Sequence, residues 1–248
     1  MYDVSTRKRA IALVAQGRSL NSVSRETGIS RAAIRSWQDR LEPLPRMAAP
    51  FPDPPSDRVT YSYLLGLYLG DGCISPHPRG PGHYLRIACA DAWPGLIDAC
   101  EAALRAINPA HTAYRVQAVG YVSVVGYYPH WPHLFPQHGP GKKHERRIAL
   151  EAWQQAIVHE HPWEFVRGLI HSDGCRITNW TEKTIDGVRK RYEYPRYFFS
   201  NLSGDVIRLF TDTLDHVGVE WKMANPRNVS IAKRAAVALM DTHVGPKY

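Results

Sequence analysis

Two stretches of this chain say nearly the same thing, and any fold must place both of them. From Thr60 the sequence runs TYSYLLGLYLGDGCIS, and from Trp163 it runs WEFVRGLIHSDGCRIT. Gly66, Leu67, Asp71, Gly72 and Cys73 match Gly168, Leu169, Asp173, Gly174 and Cys175 at one constant offset of 102 residues. A match at a fixed offset with similar flanks points to an internal duplication. The chain is therefore expected to be a pseudo-dimer.

Read as helices, both segments carry small residues four apart, Gly66 with Gly70 and Gly168 with Ser172, which leaves a strip where another backbone can approach closely. A helical glycine costs roughly 0.5–1 kcal/mol relative to alanine, tolerable where it permits tight packing. Gly66, Gly70, Gly168 and Ser172 are the expected helix interface. The glycine after each aspartate is expected to end its helix in the left-handed conformation, leaving Asp71 and Asp173 in the last turns, where the helix dipole disfavours anions. Two carboxylates gathered there call for a cation, and hard oxygen ligands suit Mg²⁺.

Both segments resemble the LAGLIDADG motif of homing endonucleases, and two copies in one chain resemble the single-chain, two-repeat members of that family. The resemblance covers roughly Thr60 to the C-terminus. It implies helices at a pseudo-twofold axis, curved saddle-like sheets over DNA, and one metal-binding aspartate per helix, Asp71 and Asp173, with Gly70 and Ser172 beside them. It implies Mg²⁺ (or Mn²⁺), phosphodiester hydrolysis, and a basic residue near each scissile phosphate; by position before each repeat's final helix these are Lys143 and Lys233. Leu69 and His171 stand where the motif has its first acid, and Leu65 and Arg167 where it has its second residue.

Ahead of the repeats, residues 1–42 read as three short helices: Ser5 caps the first, Ser19 and Gly28 bound the second, and Ser30 caps the third. The run RKRAIALVAQGRSLNSVSRETGISRAAIRSWQDRL resembles the helix-turn-helix of homeodomain-like and transposase-type units. The resemblance offers Arg31, Arg35 and Gln38 to a major groove. Residues 43–59 form a spacer, whose prolines fix φ and remove donors.

Residues 60–160 and 161–248 read as two αββαββα repeats, an α+β arrangement with antiparallel sheets. One face of each sheet is expected to be basic and aromatic, through Arg86, Arg115, Gln117, Arg176, Lys190, Tyr192, Arg196 and Lys222. Pro195 marks an edge or bulged strand. Lys142 and Arg146, in the loop PHWPHLFPQHGPGKKHERRI, are further DNA contacts; its histidines lack the cysteine spacing of a zinc site and sit among loop-forming prolines and glycines.

A net charge of +8 and a pI near 9.4 favour an acidic partner. No apolar run approaches the ~18 residues of a membrane span, and the N-terminus lacks a signal-peptide apolar region, so double-stranded DNA is the expected partner of a cytoplasmic, nucleoid-associated monomer. Four cysteines without CxxC spacing read as reduced thiols. The rival to a nuclease is a transcription regulator built on the same scaffold; a transposase would need an acidic triad or a nucleophile in context, and none is present.

Overall fold

The computed structural model describes residues 2–39, 41, 53–78 and 80–248. The chain divides into two compact units, Met1–Pro50 and Phe51–Tyr248. The proline-rich spacer at 43–52 lies outside the described residues.

The first unit holds α1 (Val4–Ala15), α2 (Leu20–Thr27) and α3 (Arg31–Asp39) around a core of Ala10, Val23, Ile29, Ile34 and Trp37. Ser19 accepts from Ser22 N at 3.2 Å to start α2, and Gly28 ends it at φ 70°. The first helix is capped by Asp3, which accepts from Thr6 N at 2.7 Å, while Ser5 lies inside the helix and donates to Asp3. An ionised carboxylate two residues upstream makes the stronger, charge-assisted cap.

In the second unit the order is α4 (Arg58–Asp71), β1 (Gly72–Pro76), β2 (His83–Ala90), α5 (Pro94–Ile107), β3 (Ala113–Ala118), β4 (Tyr121–Tyr128) and α6 (Trp131–Leu134). A connecting helix α7 (Ala152–Glu160) follows. The second repeat then runs α8 (Pro162–Asp173), β5 (Gly174–Ile185), β6 (Val188–Ser200), α9 (Gly204–His216), β7 (Lys222–Asn225), β8 (Asn228–Ile231) and α10 (Arg234–His243). Each half builds one four-stranded antiparallel sheet, ordered β1-β2-β4-β3 and β5-β6-β8-β7, so the αββαββα duplication is a property of the fold.

Every residue of α4 from Tyr61 to Leu69 is buried, as is fitting for a helix enclosed by neighbours on all sides. Buried polar atoms in this core find partners: Gln154 Nε2 donates to Tyr61 Oη at 2.7 Å, and Gln137 Nε2 donates to Gln154 Oε1 at 2.6 Å.

Two features differ from the sequence reading. Gly72 and Gly174 are extended, at φ −87° and −107°, because each helix passes straight into a strand with no reversing turn. They are glycines for want of room: a Cβ would meet Tyr68 Cα at 2.6 Å in one copy and Ile170 Cα at 2.7 Å in the other. The β5–β6 hairpin is also longer than its apolar content suggests, pairing from Gly174↔Phe199 out to Ile185↔Val188. It closes on Asp186-Gly187, both at positive φ (49° and 75°). Past Pro195 the hairpin has no third strand, since β6 meets β8 only from Tyr197 to Ser200; a proline costs no ladder bond on that open side.

Candidate active site

The α4–α8 contact is one of backbone on backbone. A Cβ on Gly66 would meet Phe165 O at 2.6 Å and Leu169 N at 2.8 Å, and one on Gly168 would meet Gly66 Cα at 2.9 Å. At Gly70 a Cβ would collide with the Ser172 side chain and lie 3.0 Å from Asp173 Oδ2. The four expected interface residues thus meet, and the two helices end side by side.

Asp71 and Asp173 close these helices. Removal from water, then the facing charge of Asp173, push Asp71 up to about 6, although part of its surface still reaches solvent. Burial also raises Asp173, opposed by a hydrogen bond from Asn201 Nδ2 to Asp173 Oδ2 at 2.6 Å. Two acids repel each other here, and two lysines offset them.

Lys143 Nζ donates to the carbonyls of Tyr68, Leu69 (3.0 Å) and Gly70 (3.0 Å), closing the C-terminus of α4 where the dipole is negative. Its ammonium has three protons, so those carbonyls engage them all. Burial lowers Lys143 to about 8, against the raising charges of Asp173 and Asp71. Lys247 Nζ donates to Ser172 O at 2.9 Å, capping α8 in the same manner. Among the described residues that is its one hydrogen-bond acceptor, and burial depresses it while both aspartates pull it up.

Lys233, the residue expected in this role, forms an ion pair with Glu220 instead. The misplacement has a definite origin. Pro132 disguises α6, so α7 passes for the last helix of repeat one, whereas α6 is the counterpart of α10. Lys143 follows α6 just as Lys247 follows α10, at an offset of 104 residues beside the 102 of the aspartates. That near-match was available in the sequence. Asn201 was not, because its counterpart is a different residue type: register sets Ile87 opposite Gly72 and Phe199 opposite Gly174, so two positions later Asn201 answers to Cys89. Cys89 also sits near Asp71 and shares a side-chain hydrogen bond with Cys100.

The tail of each half crosses to the other half. Ile148 N donates to Asp205 Oδ2 at 2.9 Å, at the start of α9, and Leu96 N donates to Tyr248 O at 3.2 Å, at the start of α5. Beside Asp173 a cleft of about 500 Å³ opens, lined by Gly70, Lys143, Asp173, Asn201, Arg227 and Asn228.

Strand parity sorts the remaining expected contacts. Residues directly opposite in an antiparallel pair share a face. Arg86 faces away from the helices with Cys73, and its Nη1 donates to Ser75 Oγ as the guanidinium stacks over Tyr84 at 5.0 Å. Lys190, Tyr192, Arg196 and Lys222 occupy the corresponding outer face of the second sheet; Arg196 donates to Ser230 Oγ and lies over Phe198 at 4.5 Å.

Arg115, Gln117 and Arg176 do not. Arg115 and Gln117 share the side of buried Val124 and Val122, and Arg115 binds Glu101 (2.6 Å) and Asp98 (2.7 Å) of α5. Arg176, opposite buried Tyr197, holds Asp241 of α10 at 2.6 and 2.9 Å. Period two was read correctly in these strands, but basic residues sit on both faces, and only the helix acids show which arginines are spoken for. Arg146 Nη1 is engaged with loop carbonyls of Gly139 (2.8 Å), Pro140 (3.1 Å) and Gly141 (2.9 Å), and Lys142 pairs with Glu145 at 3.2 Å. Arg31, Arg35 and Gln38 are exposed on α3, with Arg31 donating to Asn21 at 2.9 Å.

Among the strands described, neither outer sheet face carries a carboxylate; Glu182 and Glu193 lie on the helix side of the long hairpin. Among the described residues, no cluster of three or more His, Cys, Asp or Glu side chains could enclose a metal, and no helix is long and apolar enough to cross a membrane.

No family model matches the chain, and no curated protein matches its sequence. Solved structures do: a mesophilic variant of the homing endonuclease I-DmoI is similar at TM-score 0.49 and 14% identity, covering 75% of this chain and 90% of that one. The homing endonuclease I-WcaI bound to its DNA recognition sequence is similar at TM-score 0.46 and 12% identity, over 83% of this chain and 89% of that one. The N-terminal LAGLIDADG domain of WhiA is similar at TM-score 0.46 and 12% identity, over 80% of this chain and 87% of that one.

Proposed function

We propose that the chain is a site-specific double-strand DNA endonuclease of the LAGLIDADG type, hydrolysing phosphodiester bonds with a divalent cation, Mg²⁺ or Mn²⁺. The observation that carries this reading is the meeting of Asp71 and Asp173 at paired helix ends, each beside a lysine cap. Mutual repulsion and desolvation make the pair costly without a cation, and a scaffold used for binding alone gains nothing from it.

The donor set fits Mg²⁺ better than a caged ion. Two carboxylates leave most of the coordination sphere to water and substrate phosphate oxygens, which is how Mg²⁺ is usually held. The Gly70 and Ser172 carbonyls each accept from a lysine and retain a second lone pair. Asp71 and Asp173 would hold the cation, which would supply Lewis acidity to the scissile phosphate and the attacking water.

This chain's own residues do the rest. Asn201 fixes the Asp173 carboxylate. Lys143, its protons engaged, acts as a positioning residue that holds the end of α4 and offsets the acids. Lys247 retains N–H groups to meet charge developing on a phosphate. The acid-free sheet faces accept the duplex, and the three-helix unit adds Arg31, Arg35 and Gln38 as further DNA contacts.

The test is cleavage of a randomised duplex pool with and without Mg²⁺, for the natural chain and for Asp71→Asn and Asp173→Asn. Cleavage should need the cation and fall by on the order of 10³-fold in either variant, with duplex binding kept. Specific binding with no cutting under any divalent cation would leave the regulator reading in its place.

A further inference from the structure

The outer faces of the two sheets differ in chemistry. On the first sheet, register places Tyr84 and Tyr127, Val125 and Tyr114, Ser123 and Val116, and Ala118 and Tyr121 in facing rows, with Arg86 the one charged side chain among the described strand residues. Tyr114, Val116 and Tyr121 are 43%, 47% and 43% exposed and lie side by side on this face. On the second sheet the same face presents Lys183, Lys190, Arg196 and Lys222 among exposed Ile177, Ile185, Val188 and Tyr192, so the two faces differ in charge and share apolar surface.

These surfaces match different base pairs. Arginine and lysine recognise the N7 and O6 acceptors of guanine, whereas apolar side chains in a major groove recognise the C5-methyl of thymine. An acid-free face is electrostatically open to a polyanion, and the first sheet adds little positive charge of its own. Resting on the endonuclease reading above, we infer that the target is chemically asymmetric: the half-site under the first sheet is rich in A·T pairs read through thymine methyls by Tyr114, Val116 and Tyr121, and the half-site under the second carries the guanines.

Selection of bound duplexes from a randomised pool tests this, with the full chain and with Arg196→Ala and Val116→Ala. Arg196→Ala should relax a guanine preference by about tenfold in one half only, which identifies that half as the second sheet's. Deoxyuridine in place of thymidine in the other half should weaken binding by about fourfold per contacted methyl, and Val116→Ala should remove part of that penalty. A guanine-rich consensus under the first sheet, no base preference there, or no response to uridine overturns the asymmetry while leaving an endonuclease intact. No selected duplex at all overturns both.

Discussion

The two halves of this molecule agree at the centre and part company at the rim. Both bring a glycine-faced helix, a terminal aspartate and a lysine cap to the same place; yet the first hairpin, β1 with β2, runs 5 and 8 residues, whereas the second, β5 with β6, runs 12 and 13. The centre is constrained because a backbone contact leaves no room for alternatives and each acid needs a neighbouring cation. Nothing of that kind holds the outer faces, so both kept apolar surface while the second gained three lysines that the first lacks. Even the centre is not fully symmetric: Asn201 stands by Asp173 where Cys89 stands near Asp71.

The comparison can be broken first at the lysines. Lys247→Met should lower cleavage by about 10²–10³-fold with little change in melting temperature, the size expected for a lost donor to transition-state charge. Lys143→Met should lower both, because three carbonyls lose their partner. Parallel rate and melting measurements separate the roles, and equal behaviour of the two variants would show that the engaged protons of Lys143 do not matter.

Next come the glycines. Gly66→Ala and Gly168→Ala should each destabilise the fold by about 1–3 kcal/mol, since the added methyl meets main chain that cannot swing aside. Gly204→Ala, where nothing lies within 4 Å of the added carbon, is the control. Denaturant titration reads both; a tolerated Gly168→Ala would mean the helices are not in contact.

A smaller effect separates the sheets. Replacing Lys183, Lys190 and Lys222 by glutamine should reduce the slope of log affinity against log salt by about 2–3, and Arg86→Gln by less than about 1. The smallest concerns pH. Because Asp71 is raised in the folded state, folding favours its protonated form; the stability so gained is present below the ordinary carboxylate pKa and is lost as pH rises to about 6. Relative to Asp71→Asn, the cation-free natural chain should lose melting temperature as pH rises from about 4 to about 6, and divalent cations should stabilise it more as pH rises through about 6.

Much of this was legible in the chain because duplication writes the same constraint twice. Gly66 and Gly168, Asp71 and Asp173, and the order of helices and strands follow from a single offset. What resisted reading was local or three-dimensional. Asp186-Gly187 is an ordinary hairpin signal, but it sits between Thr184-Ile185 and Val188-Arg189, where charge masks the strands. Arg115 and Arg176 look like DNA contacts until Glu101, Asp98 and Asp241 come into place from distant helices. Lys247 was hidden by a proline in α6 that moved the frame of comparison.

The crossed tails bear on how the protein comes into being. A chain emerging from the ribosome completes its first half well before α9 exists to receive Ile148, and Lys247 reaches α8 on the same strap whose Tyr248 meets α5. Neither half can therefore complete its packing alone, because each receives an anchor that the other supplies.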